Sequence, residues 1–229
     1  MIRLTGIQRH FQVGGETVHA LRGIDLAIGA GEYIAILGPS GSGKSSLLNI
    51  IGLLDHPSAG QYELDGRDVT ALADDEQARV RREKIGFVFQ FFHLVPRLTA
   101  AENIALPMVL AGVEPSRREE RVAWLLEAYG LANRAHHRPD QLSGGQCQRV
   151  AIARAMSMSP PVIVADEPTG NLDRHTSQEV ITLLESLHAA GSTLIVVTHD
   201  PSLGARATRQ LHLDDGLIAE RPLPDSPAD

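Results

Sequence analysis

Gly38, Pro39, Ser40, Gly41, Ser42, Gly43, Lys44 and Ser45 fit the pattern Gly-x-x-x-x-Gly-Lys-Ser, a set of residue types able to hold a chain of phosphates. Glycines let the backbone curl until several N–H groups converge on one anion, and a helix beginning near Gly43 would add its positive end. Lys44 can then reach the β- and γ-phosphates as a point charge, and the Ser45 hydroxyl can ligate the magnesium ion that bridges them. A second cluster, Asp166 and Glu167, closes the apolar run Pro161-Val162-Ile163-Val164-Ala165. At the end of a parallel strand Asp166 can support magnesium and its waters, while Glu167 can take a proton from an attacking water. A P-loop followed by a Walker B acid pair is the equipment for hydrolysing ATP.

The elements that must hold these groups are written in the apolar spacing. Tyr33-Ile34-Ala35-Ile36-Leu37 reads as a buried strand ahead of the P-loop, and Leu47, Ile50, Ile51 and Leu54 fall at i, i+3, i+4 and i+7 after it, predicting a helix with one buried face. The same spacing recurs in Val122, Leu125, Leu126, Tyr129 and in Val180, Leu183, Leu184, Leu187. Short strand patterns over residues 1–32 and 58–70, with Val18, Ala20, Ile24, Leu26 and Ile28 alternating, predict an antiparallel β layer. The predicted fold is α/β: a P-loop NTPase core, an antiparallel β layer and an α-helical lobe at about 91–158. Residues 1–221 are expected to form a single nucleotide-binding domain, with 222–229, rich in proline, as a flexible tail.

Shortly before the acid pair stands Leu142-Ser143-Gly144-Gly145-Gln146-Cys147-Gln148-Arg149. It resembles the signature motif of ATP-binding cassette (ABC) proteins, and the resemblance extends over about residues 1–220. The resemblance implies that Ser143, Gly144, Gly145 and Gln146 open a helix that offers hydroxyl and backbone donors to ATP. Gln90, after Ile85-Gly86-Phe87-Val88-Phe89, matches the Q-loop glutamine, which in the family touches magnesium and the attacking water and senses a membrane partner. His199 matches the switch histidine at the γ-phosphate, so Glu167, His199, Gln90 and Lys44 form the expected catalytic set, with Ser45, Gln90 and Asp166 at the metal. Asn171-Leu172-Asp173 matches the D-loop that crosses the dimer interface, although Asp173 could equally cap a helix. Phe11 matches the aromatic residue that stacks on adenine, with a core aromatic of the first strand as the alternative. Ser46, where threonine is common, completes the nucleotide-binding set; Phe91 and Cys147 are further departures from the usual pattern.

A P-loop and a signature in one chain imply, by the family's pattern, a homodimer sandwiching two ATP molecules, each held by the P-loop of one copy and the signature of the other. The net charge of -7 argues against generic nucleic-acid binding, and the basic clusters Arg79, Arg81, Arg82, Lys84 and Arg117, Arg118, Arg121 alternate with acids like solvated helix faces. The single cysteine, Cys147, excludes an internal disulfide and suits a reducing compartment. The start, Met1-Ile2-Arg3-Leu4-Thr5-Gly6, does not read as a signal peptide, and no stretch approaches the ~18 apolar residues that span a bilayer. A membrane role would therefore be borrowed from a separately encoded permease, with Phe91, Phe92, Leu94, Leu98 and Leu106 either lining a groove for it or packing the helical lobe. Asn49 to Asp55, Ile85 to Gln90 and Asp166 to Asp173 look most like the bacterial branch of lipoprotein-releasing, macrolide-exporting and cell-division cassettes. The expected protein is a cytoplasmic ATPase, peripheral on the inner membrane, driving export, extraction or force transmission. A soluble ABC ATPase of DNA repair or translation shares the motifs, but the long coiled coils of the first and the paired cassettes of the second are missing from these residues.

Overall fold

The computed structural model describes residues 1–221, and the tail expected at 222–229 lies outside the described residues. The chain divides into two compact units: residues 1–79 together with the stretch from Thr193 onward, and residues 80–192.

In the first unit, β1 (Ile2–Val13) and β2 (Glu16–Ile28) form a long antiparallel hairpin, with Ile2 opposite Ile28 and Val13 opposite Glu16. β4 (Ala59–Leu64) pairs with the other edge of β1, and the short β5 (Arg67–Asp68) completes the order β2-β1-β4-β5. Ile2, Leu4 and Ile7 alternate inward, as do Ile24, Leu26 and Ile28, while Val18 is exposed at the hairpin end. The expected antiparallel layer is this sheet. The same unit holds β3 (Tyr33–Leu37), whose five residues are all buried, flanked by the parallel strands β8 (Thr193–Val197) and β9 (Arg209–Asp214), with β10 (Leu217–Arg221) antiparallel to β9. Strands buried on both faces have no need of alternation, which is why β3 and β8 read as continuous apolar runs. Each fully buried Ile or Leu contributes about 1.5–3 kcal/mol.

Helix α1 (Lys44–Ile51) follows β3 and buries Leu47, Leu48, Ile50 and Ile51. Leu54 does not belong to its buried face: the helix ends at Gly52, Leu53 takes a left-handed conformation (φ 54°), and Leu54 lies exposed beyond it. The Leu53 N–H bonds Ile50 O and the Leu54 N–H bonds Asn49 O, a Schellman closure that stops the helix one turn earlier than the spacing suggests. Tyr62 donates from its phenol to the Ile51 carbonyl at 2.8 Å, and burial raises its pKa far above the ordinary tyrosine value. Helix α2 (Asp74–Lys84) runs from the first unit into the second, with acids in its first turn and bases in its last, as the helix dipole favours.

The second unit begins with β6 (Ile85–Phe89), parallel to β7 (Val162–Asp166). Between them come α3 (Ala100–Leu110), α4 (Pro115–Ala128) and α5 (Gly144–Ala155), and after β7 comes α6 (Arg174–Ala189). Thr99 and Glu102 make a capping box at the start of α3. Asn103, fully buried, donates to the carbonyls of Val95, Leu98 and Thr99 and accepts from the Val95 N–H, which shapes the loop ahead of that helix. Arg121 corrects the reading of its cluster as a purely solvated face: its guanidinium lies over the Trp124 ring and donates to Met156 O and Ser159 Oγ, both at 2.9 Å. The carbonyls at the end of α5 need donors, and a cation there also meets the negative end of the helix.

Candidate active site

In the first unit the P-loop leaves the C-terminal end of β3 and enters α1 with Gly43 as its cap. Gly38 and Gly43 have φ of 156° and 102°, and a Cβ at either would collide with backbone, the Leu213 carbonyl for Gly38 and the Ala20 carbonyl for Gly43. Only glycine fits at these two turns. The Lys44 ammonium donates to Gly38 O at 2.9 Å and Pro39 O at 2.7 Å, so its charge is held over the loop rather than extended into solvent. Pro39, Ser40, Gly41 and Ser45 are exposed, Ser46 is half-buried, and Ser42 is buried with its backbone tied between Pro39 O and the Gly216 N–H. His199 follows Thr198 at the C-terminal end of β8, and Ile36 pairs with Val197 there, so the switch position and the P-loop start lie at the same end of adjacent strands. Asp200, beside His199, caps the short α7 (Pro201–Gly204), and its carboxyl is held below the usual range, first by the Ser202 hydroxyl and also by the neighbouring His199.

In the second unit, Phe89 pairs with Asp166, so Gln90 and Glu167 are the residues that leave the ends of adjacent parallel strands. Glu167 has φ 46°, a left-handed conformation that costs an L-residue about 1–2 kcal/mol. Strain of this kind gathers at functional positions. The Gln90 side chain donates to Asn171 Oδ1 at 3.4 Å and the Asn171 amide donates back to Gln90 O at 3.0 Å, which joins the Q-loop and D-loop positions. Asp173 caps α6, accepting from the His175 and Thr176 N–H groups, so the helix-cap reading holds for it.

Ser143 caps α5 in a full capping box: its Oγ accepts from the Gln146 N–H, and Gln146 Oε1 accepts from the Ser143 N–H. Because the Ser143 oxygen is an acceptor in the cap, its hydroxyl proton is left to donate to a ligand. Gly144 is exposed and Gly145 half-buried at the positive end of the helix. Cys147 is buried, its thiol donating to Pro139 O at 3.5 Å, and burial pushes the thiol pKa up, so it behaves as packing.

Phe11 is not a core aromatic. It is 38% exposed on β1, and the Arg9 guanidinium sits 4.4 Å from its ring centroid while binding both oxygens of Asp55. Arg9 is absent from the motif reading because nothing in its neighbourhood announces a stacking partner. Arg154 and Gln148 were also missed. Arg154 interrupts the apolar run Val150-Ala151-Ile152-Ala153 before Ala155, a mismatch that could have found it, whereas Gln148 stands among polar residues and carries no such signal.

The ABC transporter family profile matches residues 21–170. The chain is 53% identical over 220 residues to the macrolide export ATP-binding/permease protein MacB of Marinobacter nauticus, an alignment covering 96% of this chain and 34% of that protein. With the ABC transporter ATP-binding protein YknY of Bacillus subtilis it shares 49% identity over 218 residues, 95% of either chain. A dimeric post-hydrolysis structure of the ATP-binding cassette MJ0796, bound to ADP and Pi, matches with a TM-score of 0.90 and 43% identity over 99% of this chain and 100% of that one. The fold is thus that of an ATP-binding cassette ATPase. The chain belongs to the ABC transporter family, and it spans about a third of the length of the macrolide exporters it matches.

Proposed function

We propose that this chain is the ATP-hydrolysing subunit of a bacterial ABC transporter or mechanotransmission complex, working as a homodimer around two ATP molecules on the cytoplasmic face of the inner membrane. The dimeric MJ0796 cassette, at 43% identity, supports the two-fold arrangement. Lys44 and the P-loop backbone hold the phosphates in one copy, and Ser143 and Gly145 donate to the same nucleotide from the other. Glu167 takes the proton of the attacking water, while Gln90 and His199 orient water and γ-phosphate. The Ser45 hydroxyl, the Gln90 amide oxygen and the Asp166 carboxylate are hard oxygen donors that fit magnesium, which when bound supplies charge neutralisation at the β- and γ-phosphates. Phe11, with one face covered by Arg9, offers its other face to adenine.

Among the described residues no helix is long and apolar enough to cross a membrane. Coupling to transport calls for a permease, which we place on another chain by similarity to the ABC transporter ATP-binding protein YknY. The macrolide exporters, named as ATP-binding/permease proteins, show the fused alternative. Phe91, 68% exposed after the Q-loop turn, is the side chain we assign to that contact. Export or extraction of lipoprotein or lipid is the favoured direction, by similarity to the macrolide-exporter branch.

The observation that carries this reading is the strained Glu167 at the end of a strand paired with the one leading to Gln90. Glu167→Gln should keep ATP affinity and stabilise the dimer while turnover falls by about two or more orders of magnitude, at least about 2.7 kcal/mol of barrier. Wild-type turnover in that variant removes the assignment. The tagged variant, trapped with ATP in solubilised membranes of its host, should co-purify an integral membrane protein; recovery of soluble proteins or nucleic acid alone would favour the repair or translation ATPase.

A further inference from the structure

Immediately after Gln90 the chain makes a turn in which two consecutive non-glycine residues, Phe92 and His93, take positive φ of 59° and 47°. Two such residues in a row are strained and persist only where something outside the turn holds them. The holding group comes from 61 residues further along the chain: Arg154, in the last turn of α5, donates from one guanidinium nitrogen to His93 O at 2.6 Å and from the other to Phe92 O at 2.9 Å. A planar fork fits two successive carbonyls in a way that a lysine ammonium does not. Arg154 is also partly desolvated, which lowers its pKa, yet a guanidinium stays charged there, so both bonds are charge-assisted, the one to Phe92 O part-buried and the one to His93 O exposed.

The same helix reaches two other functional segments of its unit. Its first turn carries the signature, capped by Ser143, and its middle carries Gln148, which donates to Pro168 O just after Glu167. Its last turn grips the segment leading out of Gln90. A displacement of α5 therefore cannot leave the Gln90 turn behind while the Arg154 fork is intact.

We propose that Arg154 is a positioning residue that ties the Phe92–His93 turn, and with it Gln90, to the signature helix. The proposal rests on the ATPase reading above and adds to it a connection between the Phe91 segment, assigned there to the permease, and the end of α5 that carries the signature. Arg154 commits both terminal nitrogens to backbone carbonyls of the turn, so its removal should disturb the rate of the chemical step and leave affinity alone.

The test uses Arg154→Lys and Arg154→Met in the full chain. ATPase activity per folded molecule, thermal melting and hydrogen exchange by mass spectrometry are measured for each, beside wild type and Glu167→Gln. We expect kcat to fall about tenfold in Arg154→Met and about threefold in Arg154→Lys, with KM for ATP within about twofold of wild type. Exchange should accelerate in the segment 90–95 and not across the rest of residues 80–192. A kcat within twofold of wild type in folded Arg154→Met, or faster exchange spread evenly through the unit, overturns the proposal. Should Arg154→Met not fold, the lysine variant decides: wild-type kcat and exchange in it overturn the proposal, and a lowered kcat at unchanged KM with faster exchange in 90–95 supports it. Failure of the underlying reading looks different, since the wild-type protein would then lack ATPase activity sensitive to Glu167→Gln.

Discussion

The side-chain amide of Gln148, fully buried in α5, donates a 2.7 Å hydrogen bond to the backbone carbonyl of Pro168, one residue after Glu167. A strained left-handed acid is thereby followed by a backbone group pinned from the signature helix. Gln148→Ala removes the donor and leaves the buried Pro168 carbonyl without it, at a cost of about 1–3 kcal/mol. We expect a lower melting temperature and a kcat loss larger than any change in KM. A variant with wild-type kcat at a temperature well below its melting point would mean that Pro168 needs no such anchor.

The strain at Glu167 can be separated from its chemistry. Glu167→Gly and Glu167→Ala both delete the carboxylate, and they differ in whether a Cβ must sit at φ 46°. The glycine variant should be the more stable by about 1 kcal/mol, with both inactive. Chemical denaturation of the pair measures this, and equal stabilities would show that the left-handed backbone is relaxed.

Lys44 spans the P-loop through Gly38 O and Pro39 O. Lys44→Ala should lose much of the affinity for ATP, by at least about tenfold given a charge-assisted contact of about 1.5–3 kcal/mol. Equilibrium binding of a fluorescent ATP analogue reads this directly, and unchanged affinity would count against the phosphate-binding role of the loop.

Asp173 gives a pH prediction with a definite sign. Its carboxyl is held below the usual range chiefly by the Thr176 hydroxyl, then by the Thr176 N–H. A group whose folded pKa is depressed contributes fully above its unfolded value, about 3.9, and loses that contribution as pH falls through the folded value. The melting-temperature gap between wild type and Asp173→Ala should therefore be constant from about pH 7 to pH 5 and shrink below about pH 4. A gap that widens on acidification would contradict the charged-cap account.

The sequence alone determined the motifs whose residues are contiguous. The P-loop, the acid pair after β7 and the signature each occupy a short run, and their backbone geometry follows from local chemistry: glycines at Gly38 and Gly43, an apolar strand ending in Asp166 and Glu167, and a serine three residues before Gln146 that makes a capping box. The alternation of Ile24, Leu26 and Ile28 in β2, and Val180 and Leu184 of the stripe in α6, were legible for the same reason, since burial on one face repeats with the period of the element. Spacing said less where chain geometry intervened. Leu54 keeps the helical interval, but a left-handed Leu53 takes it out of the helix. Phe11 suits either a core or a stacking role by type, and only the placement of Arg9 and Asp55 beside it leaves the ring on the surface with one face covered. Arg121 on Met156, Gln148 on Pro168 and Arg154 on Phe92 and His93 join residues 20 to 62 positions apart. Tertiary structure alone decided these pairings, because a hydrogen bond between distant segments depends on where the intervening turns deliver them, and no local preference of either residue encodes that meeting.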